Sequence, residues 1–510
     1  MAPLARSTDS HYSIKYIANI IPHVSNKYLI VTLSTRRTIK MGAYVNNSID
    51  KTENIWEFDE KMKKRELVVN TIIQRSAFSS HQIFQDINEA ANLSSATGSS
   101  NVEAIVLSGG YTNYSYKIFV PDQPNLCLFA KLTFEHAIWN PDKDALYDLQ
   151  RTVNEYELMA TFSKINPDCV VAPLALWDVE HEGQKMKLLV TKWSKADEQF
   201  SNQFIDGSID PRAAPKVANA LAAINSMKDY DPHFNERAKS YMDTSFKQLR
   251  SSMEDLCLKY DPQDRTENYC VTLGTDILLK IFDANYADFN KSDCLIHSDS
   301  HAFNILVEAK PDEQDLDLFA PNGTVVICDF EMTSVGPFGR DAGLVLAWPL
   351  ACMVAHALKN TESNANIQIR HFMETFLKCY LSEMSSGRTA KEMTSMYKRC
   401  FGWAGLFMVG VFYLSDGFIG EAPGAENKKS REYIRDAMGV LGLKLMRVCY
   451  DTEYVPESTS LAELTLLFNA LVDEELTQAY ALSTPKRRVQ PRKSSLLRIS
   501  NRRVSDAGIV

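Results

Sequence analysis

The ten cysteines of this chain are scattered from Cys127 to Cys449, with no C-x-x-C pair and no grouping with histidine at metal-ligand spacing. That excludes a zinc ribbon, a thioredoxin-like redox centre and a disulfide framework, and it points to reduced thiols in a reducing, cytoplasmic setting. Long apolar runs are also missing. The longest, Gly343 to Leu358, falls short of the ~20 residues a bilayer needs and carries Pro349 and His356, so it reads as a buried helix and no transmembrane segment is expected. Residues 1–40 lack an apolar core followed by small residues, so a secretory leader is not expected; their low acid content keeps a weak organelle-targeting role open. No repeat period is visible. Glycine (21) and proline (19) are ordinary in number for 510 residues, which excludes collagen-like and wholly disordered classes. Net charge is −9, but positive charge is concentrated at one end. Pro485 to Val510 holds Lys486, Arg487, Arg488, Arg492, Lys493, Arg498, Arg502 and Arg503 against Asp506, so this tail is +7 and the remainder −16. A uniformly basic nucleic-acid binder is excluded, and no nucleic-acid partner is expected.

With 45% apolar residues and a length far above the ~150 typical of one domain, the chain can bury a full core shared between two lobes. Residues 1–65 show no clear period, end in the charged run Glu57–Glu66, and read as an extension of unassigned structure. Residues 66–195 read as a small lobe. Ser80 could cap a helix carrying Ile83, Phe84, Ile87, Ala90 and Ala91, and strand-like runs follow at 102–107, 114–120, 126–132 and 187–193, with a helix over 150–164. Residues 196–482 read as a mainly helical lobe, with helices over 213–227, 240–260, 273–286, 341–358, 366–384, 391–414, 430–450 and 461–480. Short strands interrupt it at 294–296, 305–307 and 324–328. The tail, residues 483–510, is basic and Ser-rich without an apolar face, which predicts disorder.

The segment with the most chemistry is His297-Ser298-Asp299-Ser300-His301-Ala302-Phe303-Asn304, followed 25 residues after Asn304 by Asp329-Phe330-Glu331. Two short loops ending on adjacent strands would bring a carboxylate base, an amide oxygen and further carboxylates to one spot. Phosphoryl transfer from ATP asks for these parts: an Asp to take the proton of the attacking hydroxyl, and an Asn and an Asp to hold Mg²⁺. Upstream, the turn Ser108-Gly109-Gly110-Tyr111-Thr112-Asn113 can bring backbone N–H groups close to phosphates. Lys131 on the next strand can reach the α- and β-phosphates, and Glu155, 24 residues on, can hold that lysine.

The pattern H-x-D-x-x-x-x-N followed by D-x-E resembles the aminoglycoside phosphotransferase and choline kinase superfamily, small-molecule kinases of protein-kinase-like fold. Within it, the run from Asp329 to Gly343, containing Gly336-Pro337-Phe338-Gly339-Arg340-Asp341-Ala342-Gly343, is most similar to methylthioribose kinase. Further likenesses are Trp139-Asn140-Pro141, Arg151 with Glu155 at R-x-x-x-E spacing, Phe204-Ile205-Asp206-Gly207, the basic pair Lys398-Arg399 before Gly402, and the stretch Arg435 to Met446, so that residues 80–450 are covered. The family usually has Gly where this chain has Ser298 and Leu where it has Ser300, its glycine loop is patterned differently, and Lys398 replaces an arginine.

The resemblance implies an α+β, protein-kinase-like two-lobed fold, with a small antiparallel-sheet N-lobe and a large mainly helical C-lobe. It implies transfer of the ATP γ-phosphoryl group to a small-molecule hydroxyl, with S-methyl-5-thioribose in methionine salvage as acceptor. Asp299 is then catalytic; Asn304, Asp329 and Glu331 hold Mg²⁺; Gly109, Gly110, Asn113, Lys131, Glu155, Lys192 and Trp193 bind ATP; Ser300, His301, Lys398 and Arg399 contact the acceptor. His297 and His301 also hold the loop through the backbone or Asp341. Two alternatives stand beside this reading: a choline, ethanolamine or other sugar kinase with the same site, and a catalytically weakened nucleotide-binding scaffold. A homodimer and phosphorylation at Ser505 are further partner expectations.

Overall fold

The computed structural model describes residues 55–483 apart from 77, 96–101, 108–112, 136–148, 229, 232–233, 259–260, 262, 309–324 and 360–363. Residues 1–54, the glycine turn Gly109-Gly110, the Trp139-Asn140-Pro141 segment and the basic tail with Ser505 therefore lie outside the described residues.

The small lobe is a five-stranded antiparallel sheet backed by helices. Strands β1 (Glu103–Val106), β2 (Tyr114–Val120), β3 (Gln123–Phe134), β4 (Pro173–His181) and β5 (Gln184–Lys192) are ordered β1-β2-β3-β5-β4. In β2 the alternating pattern places Tyr114, Tyr116, Ile118 and Val120 on the buried face, as a half-buried strand requires. Helices α1 (Ile55–Ser76) and α2 (Gln82–Ser95) belong to the same core, where Val68, Ile72, Phe84 and Ile87 are buried with those strand residues. The charged run at 57–66 is thus helical, and it is anchored where the Tyr116 hydroxyl donates to Lys61 O at 3.0 Å. At the start of α2 it is Ser79, not Ser80, whose hydroxyl accepts a backbone N–H, from His81 at 3.2 Å. Helix α3 (Gln150–Ile165) follows, with Arg151, Glu155, Leu158 and Phe162 buried.

Beyond β6 (Ala196–Gln199) the chain is mainly helical: α4 (Phe200–Asp206), α5 (Ala213–Asn225), α6 (Glu236–Leu258), α7 (Arg265–Leu273) and α8 (Thr275–Phe289) precede the catalytic segment. Helix α8 matches the one expected over 273–286, and α7 before it was not expected. Gly274 adopts φ +87°, a conformation that breaks the ladder, and Asp264 caps α7 by accepting from Thr266 N and Glu267 N. The short strands β7 (Cys294–Ile296), β8 (Ile305–Glu308), β9 (Val325–Ile327) and β10 (Ser334–Gly336) form two small antiparallel pairings, β7 with β10 and β6-β8-β9. In the second, Ile305 lies opposite Ile327, so the loops leaving these strands emerge together.

Helices α9 (Arg340–Leu358), α10 (Asn364–Met384), α11 (Ala390–Phe407), α12 (Lys428–Tyr450) and α13 (Leu461–Ser483) complete the large lobe. Of the helices described, α9 alone has the length and apolarity to cross a membrane, and 94% of that window is buried inside the protein. It packs closely on α11 because Gly343 has no side chain; a Cβ there would lie 2.5 Å from Cys400 O. A capping box of Thr389 and Glu392 starts α11, which continues as a π-helix over Met408–Leu414 rather than as one α-helix to Leu414. The α+β, two-lobed architecture expected from the sequence is the one observed.

Candidate active site

The segment 297–304 is a loop built around one buried carboxylate. Asp341, at the start of α9, accepts the backbone N–H of His297 (2.8 Å) and of Ser298 (2.9 Å) and the side-chain amide of Asn225 (2.9 Å). These bonds consume donors that the tight loop cannot pair by itself. Ser298 is held at φ +71°, the left-handed region that favours the glycine it replaces. Its hydroxyl lies 3.1 Å from that of Ser334.

The loop presents Asp299 beside Asn304. The Asn304 amide nitrogen donates to Asp299 O (2.9 Å) and to Asp299 Oδ2 (3.0 Å), so Oδ1 is the end of the amide turned away from Asp299. His301 Nε2 lies 3.2 Å from Asp299 Oδ1, and its ring sits 5.3 Å from that of Phe418, which stacks on Phe303 at 4.2 Å. His297 contacts the backbone, as expected: Nε2 lies 3.1 Å from Cys328 O, and Nδ1 accepts from Asp299 N at 3.3 Å. Burial depresses the imidazole, although Asp341, Asp299 and Asp329 oppose that shift. A neutral ring acting as a positioning group follows.

The second part of the site crosses between the lobes. Lys131, in the centre of the sheet between β2 and β5, places Nζ 2.8 Å from Glu155 Oε2 and 2.7 Å from Asp329 Oδ1. Glu155 is buried, whereas Glu157 points to solvent, which settles the choice between these two acids on α3. Asp329 itself adopts φ +67°, a conformation uncommon outside glycine that aims its carboxylate off the end of β9. The carboxylates of Glu155, Asp329 and Glu331 approach within 4.8 Å of one another. Burial pushes Glu155 up to about 7, helped by Asp329 and Glu331 and opposed by Lys131. Burial alone would lower Lys131, but Asp329, Glu155 and Glu331 outweigh it and keep the ammonium charged well above its ordinary range. Three carboxyl groups face two cations, Lys131 and Arg151, and Asp329 and Asn304 carry hard oxygens of the kind Mg²⁺ takes, so these residues fit that ion.

Glu331 is engaged differently from Asp329. Its Oε2 accepts from Asn113 Nδ2 at 3.0 Å and lies 3.2 Å from Arg151 Nε and 3.6 Å from Lys131 Nζ. Asn113, expected on the nucleotide, is buried here, and Arg151 Nη2 donates to its Oδ1 at 2.9 Å. Asn235 supports the same turn from the start of α6, its amide donating to Thr333 O (2.8 Å) and Glu331 O (3.2 Å). The R-x-x-x-E spacing signals Arg151; nothing in the sequence signals Asn235.

Other expected residues lie elsewhere. Ser300 is fully buried, with its hydroxyl donating to Asp341 O at 2.9 Å, so it braces the loop instead of facing an acceptor. Lys398 Nζ donates to Pro456 O at 3.2 Å. Arg399 pairs with Asp288 (3.1 Å) and Asp293 (2.7 Å). These contacts tie α11 to neighbouring elements. Lys192 is exposed opposite Leu128, and the Trp193 amide donates to Cys127 O at 3.0 Å where the sheet passes into β6.

No family model and no curated protein matches the chain. Among solved structures, a choline kinase from Cryptosporidium parvum Iowa II is similar over 80% of this chain and 99% of its own, with 10% identity and a TM-score of 0.40. A spectinomycin phosphotransferase in complex with ADP and spectinomycin is similar over 72% and 98%, with 12% identity and a TM-score of 0.36. A glucosamine kinase in complex with glucosamine, ADP and inorganic phosphate is similar over 74% and 82%, with 10% identity and a TM-score of 0.34. Likenesses this distant carry no argument about chemistry, which rests on the geometry of the site.

Proposed function

We propose that this chain is an ATP-dependent phosphotransferase that moves the γ-phosphoryl group to a hydroxyl of a small molecule, with S-methyl-5-thioribose of methionine salvage as the leading acceptor. The observation that carries the reading is the convergence of Lys131, Glu155 and Asp329 within ion-pair distance, beside a loop in which Asn304 holds Asp299. Those groups come from four separate segments of the chain, and phosphoryl transfer uses each of them.

Asp299 accepts the proton of the attacking hydroxyl and orients it. Asn304 fixes that carboxylate through its Nδ2 and turns Oδ1, together with Asp329, toward the cation. Mg²⁺, when bound, neutralises charge on the phosphate oxygens. Lys131 passes from its carboxylate partners toward the α- and β-phosphates, while Glu155 limits where the ammonium can go. The scattered, unpaired thiols suit a cytoplasmic setting.

A second acceptor class has an observation in its favour. Phe418, Phe303 and the His301 ring form an aromatic wall next to Asp299, and such walls attract cationic groups. That favours an amino alcohol such as choline or ethanolamine. Purified protein with ATP and Mg²⁺ should be offered a metabolite extract and then methylthioribose, choline, ethanolamine and simple sugars, with ADP release as readout. Asp299→Ala should abolish turnover and retain ADP binding. Wild-type turnover in that variant refutes the mechanism, and ADP binding without turnover of any acceptor by the native protein leaves a scaffold.

A further inference from the structure

Glu331 stands at the end of an interlobe tie that the phosphoryl-transfer chemistry does not require. Its Oε2 meets Asn113 Nδ2 at 3.0 Å and Arg151 Nε at 3.2 Å, and the same guanidinium reaches Asn113 Oδ1 through Nη2 at 2.9 Å. All three side chains are buried: Asn113 is 3%, Glu331 4% and Arg151 6% exposed. They come from three places, namely the residue directly before β2, the first turn of α3, and the turn that follows Asp329.

We propose that Asn113, Arg151 and Glu331 form a latch that fixes the start of β2 to the Asp329 turn, making Arg151 and Glu331 positioning residues for nucleotide binding. The inference rests on the phosphotransferase reading of the cleft. A buried carboxylate needs compensating donors, and hydrogen bonds to charged groups are the strong ones. Arginine fits because its planar guanidinium donates through Nη2 to Asn113 while Nε stays within ion-pair distance of Glu331 at 3.2 Å; lysine carries the same charge on a single point and cannot do both. Within the turn Thr333 N donates to Phe330 O at 3.1 Å, and Asn113 on Glu331 and, from the large lobe, Asn235 on Glu331 O and Thr333 O grip it from outside.

The latch makes a long-range prediction. Asn113→Ala and Arg151→Lys each remove one side of the tie, and each should speed amide hydrogen exchange of residues 330–333 about tenfold or more in nucleotide-free protein, although Asn113 is 218 residues away in sequence. The double variant should be no faster than the worse single one, because either substitution opens the same unit. ADP affinity in the presence of Mg²⁺ should fall about tenfold in both single variants. Exchange at 330–333 left unchanged by Asn113→Ala overturns the latch, as does full rescue by Arg151→Lys, which would reduce Arg151 to a charge-balancing role. Faster exchange with unaltered ADP affinity also overturns it, since the tie would then hold the turn without serving the nucleotide. Asn113→Ala keeps both charged partners, so it stays informative if the arginine variant folds poorly. Failure of the phosphotransferase reading itself would show as no ADP binding by the native protein, which the exchange measurement does not depend on.

Discussion

Lys131 Nζ lies 2.7 Å from Asp329 Oδ1, so an ammonium from the middle of the small sheet is bonded to a carboxylate of the large lobe. Lys131 sits inside β3 and Asp329 just past the end of β9, and Glu155 holds the lysine from a third direction at 2.8 Å. One buried cation therefore offsets Glu155, Asp329 and, at 3.6 Å, part of Glu331. Lys131→Met should eliminate measurable turnover and lower stability by about 3–5 kcal/mol, the usual cost of leaving buried charges without their partner. Thermal unfolding with and without Mg²⁺ checks this, and the cation should recover more stability in the variant than in the native protein.

The raised Glu155 gives a pH dependence with a defined sign. A carboxyl group that is released at about 4.5 in the unfolded chain and at about 7 in the fold binds more protons when folded, so its contribution to stability is present at low pH and declines as pH rises from about 4.5 to 7. The buried, neutral His297 works the other way and adds stability as pH rises toward the ordinary imidazole value. The difference between native protein and Glu155→Gln isolates the first effect. In metal-free buffer the native protein should lose on the order of a few kcal/mol relative to the variant across that window, and saturating Mg²⁺ should shrink the loss. Denaturant unfolding at several pH values measures it; an identical profile for the two proteins removes Glu155 as its source.

Asp341 organises the 297–304 loop through three charge-assisted bonds, from His297 N, Ser298 N and Asn225 Nδ2. Asp341→Ala strands those buried donors and should destabilise the protein by about 3 kcal/mol or more. Asp341→Asn keeps an acceptor oxygen and should cost less. Urea midpoints rank the two.

Ser298 is a non-glycine residue at φ +71° with its hydroxyl on Ser334. Ser298→Gly removes backbone strain and one hydroxyl pair together, so stability should change by less than about 1 kcal/mol. A β-branched residue there gains no such offset, and Ser298→Val should lose about 2 kcal/mol or more. Equal midpoints for glycine and valine would contradict the strain argument.

Arg399 spans Asp288 and Asp293, while Asp288 also accepts from the Trp403 indole at 3.2 Å. Arg399→Met should therefore appear as a lower melting temperature by several degrees, with KM for the acceptor changed less than threefold. A large KM increase at unchanged melting temperature would restore the substrate role expected for the basic pair.

Spacing alone made the chemistry legible where function confines residues to one short segment. Asp299 and Asn304 are five residues apart on one loop, and Asp329 follows at the end of the paired strand, so local geometry forces them together. The Lys131–Glu155 pair was readable for a related reason: a strand and the helix after it can meet in few ways. The expected helix start at 391 falls one residue from the start of α11, where Thr389 and Glu392 form a capping box, whereas α7, which ends at Gly274, was not read from the sequence.

The sequence by itself determined the α+β division, the catalytic loop and the acidic turn, because each depends on neighbours in the chain. Tertiary structure alone decided which acids and cations share a partner. Glu331 meets Asn113 across 218 residues, Arg399 is drawn to Asp288 and Asp293 instead of the cleft, and Ser300 turns inward to Asp341. A buried charge takes whichever counterpart the packing of distant elements brings within about 3 Å, and residue spacing carries no record of that choice.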